Sequence, residues 1–235
     1  MVVGLVLAIA ASWLLFAWMP GLDLAVSGWF FDGQGFWVEN NSWIEGLRLT
    51  LYAAEDIAAF IALGAALLAV WRGRTILAMR ARDWLYGFAL FALGPGLLVN
   101  VIIKPLWGRA RPWQVTEFGG HMQFTEAWQI SDQVLRGRSF VSGEMAGATA
   151  LAVVLTMIVR ANRALLGEVG YRLGLALVLA IPLVTAWQRM AAGRHFLSDV
   201  VFAGLLVALL ARLLALVFYR DANKLTAVDI PRDSP

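Results

Sequence analysis

Residues 84–112 read WLYGFALFALGPGLLVNVII followed at once by KPLWGRARP. The first part, Trp84–Ile103, holds no Asp, Glu, Lys or Arg. About 20 mostly apolar residues are enough to carry a helix across the hydrocarbon layer of a bilayer. The second part, Lys104–Pro112, packs one Lys and two Arg against the end of that stretch. An uncharged span that runs straight into a cationic cluster sets both the fold class and the search for a site.

The rest of the chain repeats the first half of this pattern. Sixty per cent of its 235 residues are hydrophobic and 15% are charged, whereas soluble domains average roughly 45–50% and 25%. So apolar a chain excludes both a soluble globule and a disordered one. With no Cys in the sequence, disulfide frameworks, thiolate metal sites and Cys nucleophiles are excluded too. Nineteen Lys+Arg against 16 Asp+Glu leave a net charge of +3, spread between apolar runs and without a nucleic-acid signature.

Five further spans are expected: Val2–Met19, 49–71, 141–159, 173–188 and 196–217. Val2–Met19 lacks a basic leader and a small-x-small cleavage site, so it is expected as a retained helix. The sequence thus predicts an all-α polytopic membrane protein of six transmembrane helices. A single domain covers 1–218 and a short polar cytoplasmic tail covers 219–235. Lys and Arg of short loops mark the cytoplasmic side. The 72–83 loop (Arg72, Arg74, Arg80, Arg82), the 160–172 loop (Arg160, Arg163, Arg172) and the tail (Arg220, Lys224) fall on one side. Both termini are then cytoplasmic. The 104–140 loop is left outside although Lys104, Arg109, Arg111, Arg136 and Arg138 make it as basic as an inner loop. An outer loop that breaks the rule is expected to hold its charge for a ligand.

Three clusters meet at that outer face. In Lys104–Pro112, Lys104 and Arg111, with Arg109 as an auxiliary, suit a multi-oxygen anion such as phosphate; the plainer reading is a lipid-headgroup anchor. Ser139–Gly147, SFVSGEMAG, opens a span with Ser142 and Gly143 at a helix N-terminus, where backbone N–H groups and the dipole favour anions. Equally, Ser142 can be an ordinary N-cap, and Gly143 with Gly147 a GxxxG packing face. In Gln188–Asp199, QRMAAGRHFLSD, His195 and Asp199 stand four apart, so on a helix they share a face. The carboxylate then fixes one imidazole nitrogen and frees the other as nucleophile or base. Arg189 and Arg194 add positive charge beside it. Trp107, Trp113 and Trp128 are expected as interfacial anchors, and Glu55, Asp56 and His121 have no evident role.

The spacing Lys104-x6-Arg111-Pro112, then Ser142-Gly143, then Arg189-x5-His195-x3-Asp199, resembles the type-2 phosphatidic-acid phosphatase superfamily of membrane lipid phosphatases. The resemblance covers about 100–200. It implies that His195 attacks phosphorus to give a phosphohistidine, that Asp199 orients it, and that Lys104, Arg111, Ser142, Gly143 and Arg189 bind the phosphoryl oxygens. It implies no metal and no cofactor. Two positions depart from the family. Gln188 stands where Ser is frequent. Glu144 stands where the second motif has the His that acts as general acid and then base. Glu144 either takes over that work, or serves a leaving group that needs little protonation, or marks impaired turnover; the first is the expectation. The expected substrate is an anionic phospholipid or lipid A-type molecule: a lipid A phosphate, phosphatidylglycerophosphate, phosphatidic acid or undecaprenyl diphosphate. The expected location is the bacterial inner membrane, catalytic face periplasmic, with no nucleic acid and no obligate protein partner. The rivals are a lipid-to-lipid phosphotransferase on the same fold and a non-catalytic transporter.

Overall fold

The computed structural model describes residues 1–38, 41–133 and 137–220. Arg136 and Lys224, and the tail from 221 onward, lie outside the described residues. Those described are helical, with isolated bridges in place of strands. α1 is Val2–Trp18, α2 Leu22–Gly28, α3 Ser42–Arg72 and α4 Ala81–Phe91. α4 runs on through a π-helical stretch, Ala92–Ile103, into a last turn, α5, Lys104–Trp107. α6 is Gly143–Ala161, α7 Arg163–Ala191 and α8 Leu197–Phe218.

Five of these segments are long and apolar enough to cross a membrane. A sixth span results if α1 and α2, bent by 82° at Pro20, count as one broken crossing. Two boundaries differ from expectation. α3 begins at Ser42, because the Asn41 side chain accepts from the Trp43 and Ile44 amides and caps it there. α7 begins at Arg163, so most of the expected 160–172 loop is helical, with only Gly167 (φ 66°) breaking the geometry. The widened helix at Ala92–Ile103 coincides with Pro95, which removes an amide donor from the α-helical ladder.

α6 is the central helix. Ala146, Gly147, Ala148, Ala150 and Ala152 bury a face of small side chains, which lets α3, α4, α7 and α8 approach closely. Leu90, Val99, Val154, Ala203 and Val207 fill the space between them. Large apolar side chains such as Leu67, Val70, Leu173, Leu183 and Val217 point outward, as a lipid-facing surface requires. Met1 contacts Arg212, and the Tyr219 hydroxyl donates to Asp83, so both ends of the described chain lie at one end of the bundle. The other end gathers the start of α3, α5, the start of α6, the end of α7 and the start of α8. It is roofed by α2 and by the described parts of the following loop, 108–133 and 137–142.

Candidate active site

The turn from α7 into α8 places the histidine. α7 ends with Ala192 N–H donating to the Gln188 carbonyl and Gly193 N–H to that of Met190. Gly193 has a positive φ of 64°, and a Cβ there would lie 2.4 Å from the Phe36 ring, so only glycine fits this turn. The chain then folds back, and the Arg194 and His195 amides both donate to the Arg189 carbonyl. His195 therefore precedes α8 instead of sharing a helical face with Asp199, as the spacing had suggested. Asp199 sits in the first turn, where its Oδ2 accepts the Phe196 amide at 2.9 Å and caps the helix. The two side chains still meet: His195 Nδ1 lies 3.5 Å from Asp199 Oδ2, a long contact rather than a tight hydrogen bond. Burial pushes the imidazole down to about 4; the Lys104 and Arg189 charges add to this and Asp199 opposes it. At neutral pH the ring is uncharged and its lone pair is available.

Behind Asp199 lies a buried ionic network that the sequence did not reveal. Asp199 Oδ2 also accepts from Ser139 Oγ at 2.5 Å, and Oδ1 accepts from Arg109 Nη1 at 2.7 Å. The Arg109 Nη2 group donates to Asp23 Oδ2 at 2.8 Å and Nε to the Thr125 carbonyl. Asp23, on α2, further accepts the Ser198 amide at 2.8 Å and the Ser198 hydroxyl at 2.5 Å. The Arg109 guanidinium lies over the Phe196 ring and is fully buried. This corrects its expected part as an auxiliary anion ligand. Its donors are committed to two carboxylates, a hydroxyl and a carbonyl, so it anchors Asp199 from behind.

The cations in front are differently placed. Among the described residues, the side chains of Lys104 and Arg111 make no hydrogen bond or ion pair with the protein. A Cβ on Gly143 would lie 2.8 Å from Lys104 Nζ, so the glycine lets the ammonium rest against the start of α6. Ser142 caps that helix, its Oγ accepting the Met145 amide at 3.3 Å, and the partial positive charge of the helix N-terminus adds to the cluster. Arg189 uses Nη1 on Glu144 at 2.8 Å, while its buried Nε has no partner among the described residues. Arg194 lies over the Trp113 ring, at the edge of the group. The Lys104 and Arg189 charges act on His195, and those of Arg189, Arg194 and Asp199 act on Arg111. Lys104, Arg111, Ser142, Gly143, Arg189, His195 and Asp199 thus come from three separate stretches to one place. Unpaired donors converging on a neutral imidazole make a cradle for a tetrahedral oxyanion.

Glu144 lines the same place, but both oxygens are occupied. Oε2 accepts from Arg189, and Oε1 accepts at 3.0 Å from Arg48 Nη1 on α3. Arg48 is therefore tied to the site. Beside Glu144 a cavity of about 480 Å³ runs between α3, α4 with its π-helical stretch, and α6, lined in part by Tyr52, Glu55, Asp56, Asn100 and Lys104. Gly147 admits Glu55 rather than another helix backbone; a Cβ there would collide with Glu55 Oε2. Trp107 is also not the expected interfacial anchor, since it stacks on Phe140 and donates to the Ala127 carbonyl. His121 is exposed. Among the described residues, no group of three or more His, Asp and Glu side chains is placed to hold a metal ion.

Comparison with known proteins agrees with this geometry. A model of the PAP2 superfamily matches residues 84–224. The lipid A 4'-phosphatase of Rhizobium etli is 33% identical over 226 residues, which cover 89% of this chain and 84% of that protein. The lipid A 4'-phosphatase of Rhizobium leguminosarum is 32% identical over 232 residues, 89% of this chain and 93% of its own. That of Francisella tularensis subsp. novicida is 27% identical over 230 residues, covering 93% and 96%. No solved structure gives a significant match. With matched residues spanning both the helical core and the converging cations, the chain belongs to the PAP2 superfamily, the type-2 phosphatidic-acid phosphatases, and is a membrane lipid phosphatase.

Proposed function

We propose that this phosphatase removes a phosphate monoester from lipid A at the periplasmic leaflet of the bacterial inner membrane, through a phosphohistidine on His195. The observation that carries the reading is the buried His195, backed by Asp199 at 3.5 Å in the same cluster as the cations Lys104, Arg111 and Arg189. Three relatives named as lipid A 4'-phosphatases support the substrate. The basic loops at the end of the bundle away from the site support the orientation.

In the first half-reaction His195 Nε2 forms a bond to phosphorus as the bond to the leaving alcohol breaks. The imidazole gains positive charge, which Asp199 stabilises through Nδ1–H. Lys104, Arg111 and Arg189 take the phosphoryl oxygens, with the Ser142 hydroxyl and the Gly143 amide completing the cradle. Their donors are fixed before the reaction, which is where electrostatic catalysis is most effective. The incoming phosphate, bound as its monoanion, competes with Glu144 for Arg189 and hands its proton to the freed carboxylate, which passes it to the leaving oxygen as the P–O bond breaks. In the second half-reaction Glu144 accepts a proton from water, the water oxygen bonds to phosphorus, and the P–N bond breaks to return neutral His195 and inorganic phosphate.

A second reading of Glu144 is favoured by its two ion pairs: it holds Arg48 and Arg189 in place and transfers no proton. The reading as a whole is tested with purified protein in mixed micelles, measuring phosphate released from lipid A, phosphatidic acid, phosphatidylglycerophosphate and undecaprenyl diphosphate. The expected result is the highest kcat/KM on lipid A. A uniform response across all four would contradict the substrate assignment.

A further inference from the structure

We infer that the cavity beside Glu144 is the leaving-group subsite, and that it takes an uncharged portion of the lipid bearing hydroxyl or amide groups, for which a sugar ring is the fitting chemistry. The inference deepens the proposed function, from which it takes only the direction of attack. Lys104, Gly143 and Glu144 belong to both the phosphate cradle and the cavity wall, whereas His195 does not touch the cavity. Phosphoryl transfer expels the leaving oxygen in line, away from the nucleophile. With His195 on one side of phosphorus, the alcohol departs on the side where the cavity begins.

The lining sets the chemistry of the occupant. Glu55 is only 5% exposed and lines the cavity, and among the described residues it has no hydrogen bond or ion pair. Gly147 makes room for it by lacking a Cβ. An acyl chain in this space would leave the Glu55, Asp56 and Asn100 side chains facing hydrocarbon without partners, which is costly. A second phosphate would meet the carboxyl groups of Glu55, Asp56 and Glu144, while of the two cations in the lining Arg48 is already paired with Glu45 and Glu144 and Lys104 serves the reacting phosphate. Hydroxyl and amide N–H groups satisfy all of these side chains, and the Phe88 and Phe91 rings at the inner end give the apolar face of a ring a surface to lie on. At about 480 Å³ the space is within the ordinary range of small-ligand sites. Its mouth, where Tyr52, Asp56, Gly96 and Asn100 are exposed, lies between α3 and the π-helical stretch, so acyl chains can remain in the bilayer.

The test compares lipid A with phosphatidic acid, whose alcohol is glycerol, on the purified full chain. Glu55→Leu should lower kcat/KM on lipid A by about 10- to 100-fold, the effect of leaving hydrogen-bonding groups unpaired. On phosphatidic acid its effect should stay within about threefold, because the phosphate cradle that both lipids share is untouched. Asn100→Leu, at the exposed mouth where folding is not at stake, should shift the same ratio in the same direction. A wild-type protein that acts on lipid A and keeps its preference in both variants overturns the subsite alone. A wild-type protein that acts on phosphatidic acid and not on lipid A overturns both the subsite and the substrate proposed above.

Discussion

Replacing Asp23 by alanine takes one of two counter-charges from a guanidinium with no exposure to solvent. Arg109 keeps Asp199, but Nη2 loses its partner, and the Ser198 amide and hydroxyl both lose their acceptor. Breaking a buried ion pair by removing one partner costs about 3–5 kcal/mol, and an unpaired buried amide costs about 1–3 kcal/mol. These losses share Arg109 and Ser198 and so do not add. About 3–5 kcal/mol is the expected total, a large part of a typical stability of about 5–15 kcal/mol. The chemical consequence follows the same path. Asp199 is held by Arg109, and His195 by Asp199, so a shift of about 1 Å in the imidazole lowers kcat by about 10²-fold. KM should change little, because Lys104, Arg111 and Arg189 do not depend on Asp23. Asp23→Asn, which retains an acceptor for Ser198, should recover part of both losses. The assay is denaturant unfolding in detergent micelles alongside kcat and KM on lipid A. An alanine variant with kcat within threefold of wild type and an unmoved unfolding midpoint would refute the network's role.

Glu144→Gln separates the two readings of that residue: proton transfer predicts a loss in kcat of about 10²–10⁴-fold, whereas a holding role predicts near-normal kcat with a raised KM. His195 should make stability depend on pH. Folding lowers its pKa from 6.5 to about 4, so below 6.5 the unfolded chain takes up a proton that the folded one refuses, and stability falls as pH drops toward 4. The unfolding midpoint should therefore decrease between pH 7 and pH 5, by less in His195→Asn; an equal decrease in both would contradict the buried neutral imidazole. For sidedness, Cys placed at His121 should react with an impermeant thiol reagent in outer-membrane-permeabilised cells, and Cys at Leu77 should not. The reverse labelling would invert the orientation.

The uncharged runs and the three clusters were legible because each is local: a span needs only its own composition, and Lys104, Ser142, Arg189 and His195 each lie in a short dense motif. The bend after α1 was visible only as Pro20, which ends a helix without saying where the next one goes. Asp23 and Arg48 escaped notice for a physical reason. Asp23 meets Arg109 86 residues away, and Arg48, beyond its local pair with Glu45, reaches Glu144 96 residues away. No spacing rule reaches that far. Arg109 was misread because its neighbours Lys104 and Arg111 share its motif but not its depth. Glu55 and Asp56 have no evident role in the sequence, because their cavity exists only once α3, α4 and α6 are packed.

The central claim is a covalent intermediate on His195. Purified protein mixed with lipid A carrying radiolabelled phosphate, quenched in denaturant within milliseconds and resolved by gel, should show label on the chain that is labile to acid and stable to base. Mass spectrometry should place it on His195, and His195→Ala should show none. Rapid phosphate release with no label on the wild-type chain at any quench time, or label retained by His195→Ala, would contradict the mechanism.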